Sequence, residues 1–345
     1  MFSLYQEIFL NLRLRKYNIT PAYSGYSSEF SIFSIIFLQF VFNEYTTIDG
    51  SELISLSYSP NTNYDASETV SSENLSQEML SYYSWFASYG YCQDVDIPLF
   101  CCTNYMEFFT GRWTMVCETS TTEYYTYNFV LWRSDEYKKY ILAFPGTRNN
   151  IMELLNEAAN IKLVNYDGVD NGIKVVNYFN KVALEIKDLI FSEENLKDIA
   201  AHPGYQFIFI GHSLGGSVAS IMAYEAINKK YITQENNNPA IITFGMPRSG
   251  NEKWVIDFNT KIKNVLRVVR DGDIVPSVPY IPLSNPYRHL GGLILVNKDM
   301  NSMNYCPKDI GEDYPDSESK LSKSLELKYH LKYFNPDTEL GLRCS

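Results

Sequence analysis

The chain has 345 residues, 45% of them apolar, and a formal net charge of −11. This length and apolar content suit one large globular domain with an appendage. The acidic balance, with no run of Lys and Arg, excludes the basic face that nucleic acid requires, and no internal repeat is present.

In chain order, the first notable feature is an uncharged run, FSIFSIIFLQFVF, at Phe30–Phe42. A membrane-spanning helix needs about 20 residues, so this run is short for one. It has the length of a secretory h-region, roughly 7–15 residues. Arg13, Arg15 and Lys16 lie far upstream, Glu29 abuts the run, and no small-x-small cleavage site follows. An uncleaved anchor and a buried element of the fold therefore stay open as readings. Residues 1–43 are expected to be an N-terminal extension, with a signal-peptide-like or anchoring run at 30–42. Residues 44–70, rich in Ser, Thr, Asn and Asp without a sustained period, are expected to be a polar linker.

The globular domain is expected over 71–345. Ser71 or Ser72 can cap a helix carrying Leu75, Met79, Tyr83 and Phe86 at near-helical spacing. Tyr127–Trp132 and Lys139–Phe144, joined by the polar Ser134-Asp135-Glu136, predict a hairpin. Asn150–Ala159 carries a helical stripe of Ile151, Leu154, Leu155 and Ala158. Val175–Phe191 predicts a longer amphipathic helix with Val176, Phe179, Val182, Leu184, Ile186 and Ile190. Tyr205–Ile210 has almost no polar residue, as a strand buried on both faces should. A helix at Gly215–Asn228 and strands at Ala240–Phe244 and Asn264–Arg270 follow. Strands alternating with helices predict an α/β fold: a mostly parallel central sheet flanked by helices, in a single catalytic domain.

The six cysteines, Cys92, Cys101, Cys102, Cys117, Cys306 and Cys344, include no C-x-x-C pair, which argues against a zinc cluster. Their even number fits disulfides formed in an oxidising compartment, hence a secreted protein or one of the endomembrane lumen. Six buried thiols in a reducing compartment is the alternative.

Between the apolar strand and the following helix stands Gly211-His212-Ser213-Leu214-Gly215, a G-x-S-x-G pattern. Alone it would arise by chance in roughly one chain in ten of this length. Its strand-to-helix setting makes it a candidate nucleophile elbow. A sharp turn there presents the Ser213 hydroxyl above the strand ends, and small neighbours let strand and helix approach. A serine needs a base, and in this architecture acid and then histidine follow the nucleophile. His202 and His212 precede or lie within the elbow. His289 runs into the apolar Leu293–Val296, a predicted strand. His330, near the C-terminus, is the preferred base. For the acid, Asp271 and Asp273 both follow the predicted strand Asn264–Arg270. Asp273, before Ile274-Val275-Pro276, is preferred because it can be buried. The backbone N–H of Leu214 and a donor at Thr147, after Pro145-Gly146, are the expected oxyanion-hole donors. This chemistry calls for no cofactor and no metal.

Together these residues resemble the fungal-type class 3 lipase family, the Rhizomucor and Thermomyces lipase-like α/β-hydrolases, over about residues 76–345. The resemblance is carried by Gly211–Gly216, by "TFGMPRSGN" at Thr243–Asn251, by "DIVPSVP" at Asp273–Pro279 and by "HLKYF" at His330–Phe334. It implies the α/β-hydrolase fold, with Ser213, Asp273 and His330 as catalytic triad, and a non-catalytic role for the histidine of "PYRHLGG", His289. It also implies a carboxylic ester hydrolase acting on lipid esters at a lipid–water interface, acylglycerols first. The alternatives are a phospholipase, an esterase on acylated polysaccharide, or a non-catalytic lipase-like binding or signalling protein. A lid over about Arg148–Asn160, with Ile151, Leu154 and Leu155 on its apolar face, and a Cys92–Cys344 disulfide are further implications. Two segments depart from the family pattern. Phe144-Pro145-Gly146-Thr147 stands where F-R-G-[ST] is usual, and Val169-Asp170-Asn171-Gly172-Ile173 where V-H-x-G-F is usual.

Overall fold

A computed structural model describes residues 64–89, 91, 111–119, 127–146, 161–168, 170–279, 286–306 and 327–334. All fall in the second of two units, Ile54–Ser345. Several expectations lie outside the described residues: the run 30–42, the helix at 150–159, Thr147, the lid residues Ile151, Leu154 and Leu155, and both Cys92 and Cys344.

The elements are, in chain order, α1 (Gln77–Tyr89), β1 (Thr114–Thr119), β2 (Phe129–Ser134), β3 (Lys139–Phe144), β4 (Leu163–Asn165), β5 (Lys174–Val176), α2 (Asn177–Ile190) and α3 (Glu193–Ala201). They continue with β6 (Gln206–His212), α4 (Leu214–Asn228), α5 (Gln234–Asn237), β7 (Ala240–Phe244), α6 (Glu252–Lys261), β8 (Asn264–Arg270), β9 (Leu293–Val296), β10 (Met303–Cys306) and α7 (Leu327–His330). One sheet holds eight strands in the order β1-β2-β3-β6-β7-β8-β9-β10. The pairs from β3 through β9 are parallel, and β1-β2, β2-β3 and β9-β10 are antiparallel. The predicted hairpin is the β2-β3 pair, and the mostly parallel central sheet is as expected.

Period-two alternation sends neighbouring side chains to opposite faces. From β3 and β6, Tyr140, Leu142, Phe207 and Phe209 pack with α2, α4 and α6 in one core. Ile141, Ala143, Ile208 and Ile210 pack with α1, through Met79, Leu80, Tyr83 and Phe86, in the other. Burying each such large side chain contributes about 1.5–3 kcal/mol. Helix α4 is buried almost all round, because the sheet lies under it and α2 packs beside it. Leu184, read as part of the apolar stripe of α2, is instead 43% exposed. It stands on the opposite side of the helix from Val182 and Ile186, which are buried.

Two boundaries differ from expectation. Helix α1 begins at Gln77 rather than after Ser71 or Ser72, because Ser76 supplies the cap: its Oγ accepts from Met79 N–H at 3.0 Å. Residues 64–70, expected in the polar linker, are packed. Ala66 and Val70 are buried. Val70 exchanges two hydrogen bonds with the Gln206 side chain, at 2.8 and 2.9 Å. The Lys139 ammonium, buried at the start of β3, donates to the carbonyls of Ala66 and Glu68. A buried ammonium must find acceptors, and this segment provides them. Cys117 on β1 is a free thiol, so the even cysteine count does not translate into a fully bridged set.

Candidate active site

Ser213 stands between the last residue of β6 and the first of α4, with φ 55° and ψ −129°. A non-glycine residue with positive φ is strained by roughly 1–3 kcal/mol and persists only where its surroundings dictate it. Here they do. Ser213 N–H donates to Phe244 O at the end of β7 at 2.8 Å, and Gly216 N–H returns to Ser213 O at 2.9 Å. Gly211 and Gly215 are required by close approach. A Cβ on Gly211 would overlap the Gly215 backbone, and one on Gly215 would overlap the carbonyls of Phe144 and Pro145. The end of β3 thus lies against the N-terminus of α4. A Cβ on Gly146 would come within 2.8 Å of Ser213 Cβ, so the loop after β3 passes directly beside the serine. Thr147, the next residue, is the expected oxyanion donor.

The parallel sheet delivers an acid to the same edge. Strand β8 ends at Arg270, the chain turns at Gly272 with φ +89°, and Asp273 is buried at 1% exposure. Its Oδ2 lies 2.9 Å from His330 Nδ1. Oδ2 also accepts from the Tyr333 hydroxyl at 2.5 Å, and Oδ1 accepts from Val275 N–H at 2.9 Å. Asp271, the alternative acid, is only half-buried, and its backbone N–H bonds to Val296 O. His330 is fully buried, and neither its Nε2 nor Ser213 Oγ has a hydrogen-bond partner among the described residues.

Several supporting residues were not singled out from the sequence. Burial and the adjacent Asp273 push the Tyr333 pKa well above 10, so the phenol keeps its proton and donates it to the carboxylate. Arg270 holds the C-terminal segment by donating to Lys332 O at 2.9 Å, and its backbone N–H donates to the Tyr333 oxygen at 3.1 Å. Gly245, φ +59°, leaves the space for the acid–base pair: a Cβ there would sit 2.7 Å from Asp273 Oδ2 and 2.8 Å from His330 Nδ1. It belongs to the TFGMPRSGN segment, whose positive φ at a glycine is the one local hint. His289 lies away from this pair, buried, with Nε2 2.7 Å from Pro276 O. Burial, helped by Arg267 and Arg248, lowers its pKa well below 6.5.

Residues 141–283 match the lipase (class 3) family. A lipase of Rhizopus niveus is 27% identical over 292 residues, which are 82% of this chain and 69% of that one. Over residues 141–283, which include Ser213 and Asp273, the chain is similar to the class 3 lipase family. A lipase of Rhizomucor miehei is 25% identical over 77% of this chain and 71% of its own length. Among solved structures, a triacylglycerol lipase described as having a serine protease triad as catalytic centre superimposes with a TM-score of 0.64 at 25% identity, covering 78% of this chain and 98% of that one. Lipase II of Rhizopus niveus gives a TM-score of 0.64 at 23% identity, over 77% and 97% of the two chains. The fold of this chain is accordingly the α/β-hydrolase fold.

Proposed function

We propose that this protein hydrolyses carboxylic esters of lipids, acylglycerols foremost, through an acyl-enzyme on Ser213. The observation that carries the reading is the buried Asp273–His330 pair, 2.9 Å apart, on the same sheet edge as a serine with forced positive φ. Ser213 Oγ attacks the ester carbonyl while His330 Nε2 takes its proton. Asp273 fixes the tautomer by accepting from Nδ1–H and stabilises the imidazolium that forms. The N–H of Leu214, at the start of α4, and a donor at Thr147 receive the oxyanion; each such donor is worth roughly 3–4 kcal/mol of barrier. His330 then protonates the departing alcohol. Water, deprotonated by the same imidazole, cleaves the acyl-enzyme and restores Ser213.

Similarity to the lipase (class 3) family supports a lipid ester as substrate, and the apolar residues Ile151, Leu154 and Leu155 in the sequence that follows Thr147 support action at a lipid–water interface. A rise in rate when tributyrin passes its solubility limit is the expected signature; a smooth hyperbolic curve through that limit counts against it. A substrate panel of acylglycerols, phospholipids and acetylated xylan separates the head-group alternatives. Labelling by a fluorophosphonate probe tests the core of the proposal. Wild type is expected to label and Ser213→Ala not to label, with kcat falling by about 10⁶-fold. A wild type that stays unlabelled and inactive on every ester would establish the non-catalytic reading instead.

A further inference from the structure

His212 has no place in the proton path above, yet its ring is fully buried and both nitrogens are engaged. Nε2 lies 2.9 Å from the backbone carbonyl of His330, and Nδ1 lies 2.7 Å from the Tyr91 hydroxyl. A carbonyl can only accept, so Nε2 carries the hydrogen. Nδ1 is then the acceptor, and Tyr91 O–H donates to it. The Tyr91 oxygen in turn accepts Gly146 N–H at 2.7 Å. Every hydrogen in this chain has one direction, from Gly146 through Tyr91 to His212, and from His212 to His330.

The two imidazoles also stack, with ring centroids 4.6 Å apart and planes 30° from parallel. When His330 takes the serine proton, a charged neighbour at that distance would oppose it. Burial, reinforced by His330, holds the His212 pKa well below 6.5, so the neighbour is neutral.

We infer that His212 is a positioning residue that links the loop at Gly146 to the main chain of His330 through the Tyr91 hydroxyl, fixing the oxyanion side and the base side of the site relative to each other. The inference rests on the reading of Ser213 as nucleophile and His330 as base. It assigns Tyr91 the same role, from a segment that the chemistry alone would not implicate.

The test uses the full chain and a soluble ester, p-nitrophenyl butyrate. Tyr91→Phe keeps the ring and removes the bridging oxygen. His212→Gln keeps a donor for the His330 carbonyl and removes the acceptor for Tyr91. Each is expected to lower kcat about tenfold with KM within about twofold, the scale of one lost hydrogen bond between buried groups. The double variant is expected to be no worse than either single one, because both break the same link. An unchanged kcat in Tyr91→Phe, a rise in KM alone, or losses that multiply to about 100-fold would each overturn the link. Should His212→Gln fail to fold, by thermal unfolding, Tyr91→Phe decides alone, since it adds no bulk. Ser213→Ala is assayed in parallel. If it stays active, the triad reading fails; if it is inactive while Tyr91→Phe matches wild type, only the link fails.

Discussion

At Gly245 a single absent methyl group decides whether Asp273 and His330 can meet. Its φ of +59° suits glycine, and the space a Cβ would occupy is filled by Asp273 Oδ2 and His330 Nδ1. Gly245→Ala is expected to lower kcat on a soluble ester by about 100-fold, the cost of displacing a reacting group by an ångström or so. The protein should remain folded, with a modestly lower Tm. Tyr333→Phe removes a donor from Asp273 without changing shape, and an approximately tenfold fall in kcat is expected; unchanged turnover would show that His330 and Val275 suffice to hold the carboxylate. The strand-to-helix turn at Ser213 was legible in the sequence because its requirements are local: a buried strand, a turn, small neighbours and a helix within fifteen residues or so. The contact between Asp273 and His330 was legible through chain order and through the apolar residues that follow Asp273. Tyr333 and Tyr91 were not. They meet their partners across 60 and 121 residues of sequence, and nothing near either one announces the partner.

At the scale of elements, legibility followed burial. Strands β3, β6 and β7, buried on both faces, carry mainly apolar runs, β8 keeps its apolar residues on either side of Arg267, and the positions of all four were found to within a residue or two. Helix α3 was missed, because only Asn195 and Ile199 of its nine residues are buried and, Leu196 apart, the rest are polar or small. Strands β4 and β5 have three residues each, too few to show a period. Residues 64–70 were misread as linker because their attachment is made by backbone carbonyls, which no side-chain pattern reveals. Lys139 is the element that fixes them. Burial lowers its pKa from 10.5 to about 8, which still leaves it charged at pH 7 to donate to Ala66 and Glu68. Lys139→Met leaves those carbonyls without their donor and is expected to destabilise by about 1–3 kcal/mol. Urea denaturation measures the loss, and kcat on a soluble ester should be unaltered.

For the whole molecule, His212 and His289 set the acid limit of stability. Burial holds both well below 6.5 in the folded state. The unfolded chain takes up protons at these positions as pH falls below about 6.5, while the folded chain does not. Their contribution is therefore fully present above that pH and lost below it, at up to about 1.4 kcal/mol per pH unit for each imidazole until the folded-state pKa is reached. Thermal unfolding is expected to give a plateau from pH 7 to 8 and a steep fall in Tm from pH 6.5 to 5. A Tm independent of pH over that range would mean that neither imidazole is held neutral in the native protein. The sheet itself separates two kinds of residue. Gly146, Ser213 and Asp273 follow the carboxyl ends of β3, β6 and β8, where ligands gather in open α/β sheets. Lys139 and Gln206, which anchor residues 64–70, begin β3 and β6 and are register partners at the opposite rim. A laboratory selection for heat tolerance and one for a new acyl group would accordingly collect their substitutions from opposite ends of the same strands, and the two sets could be combined in one chain with little interference.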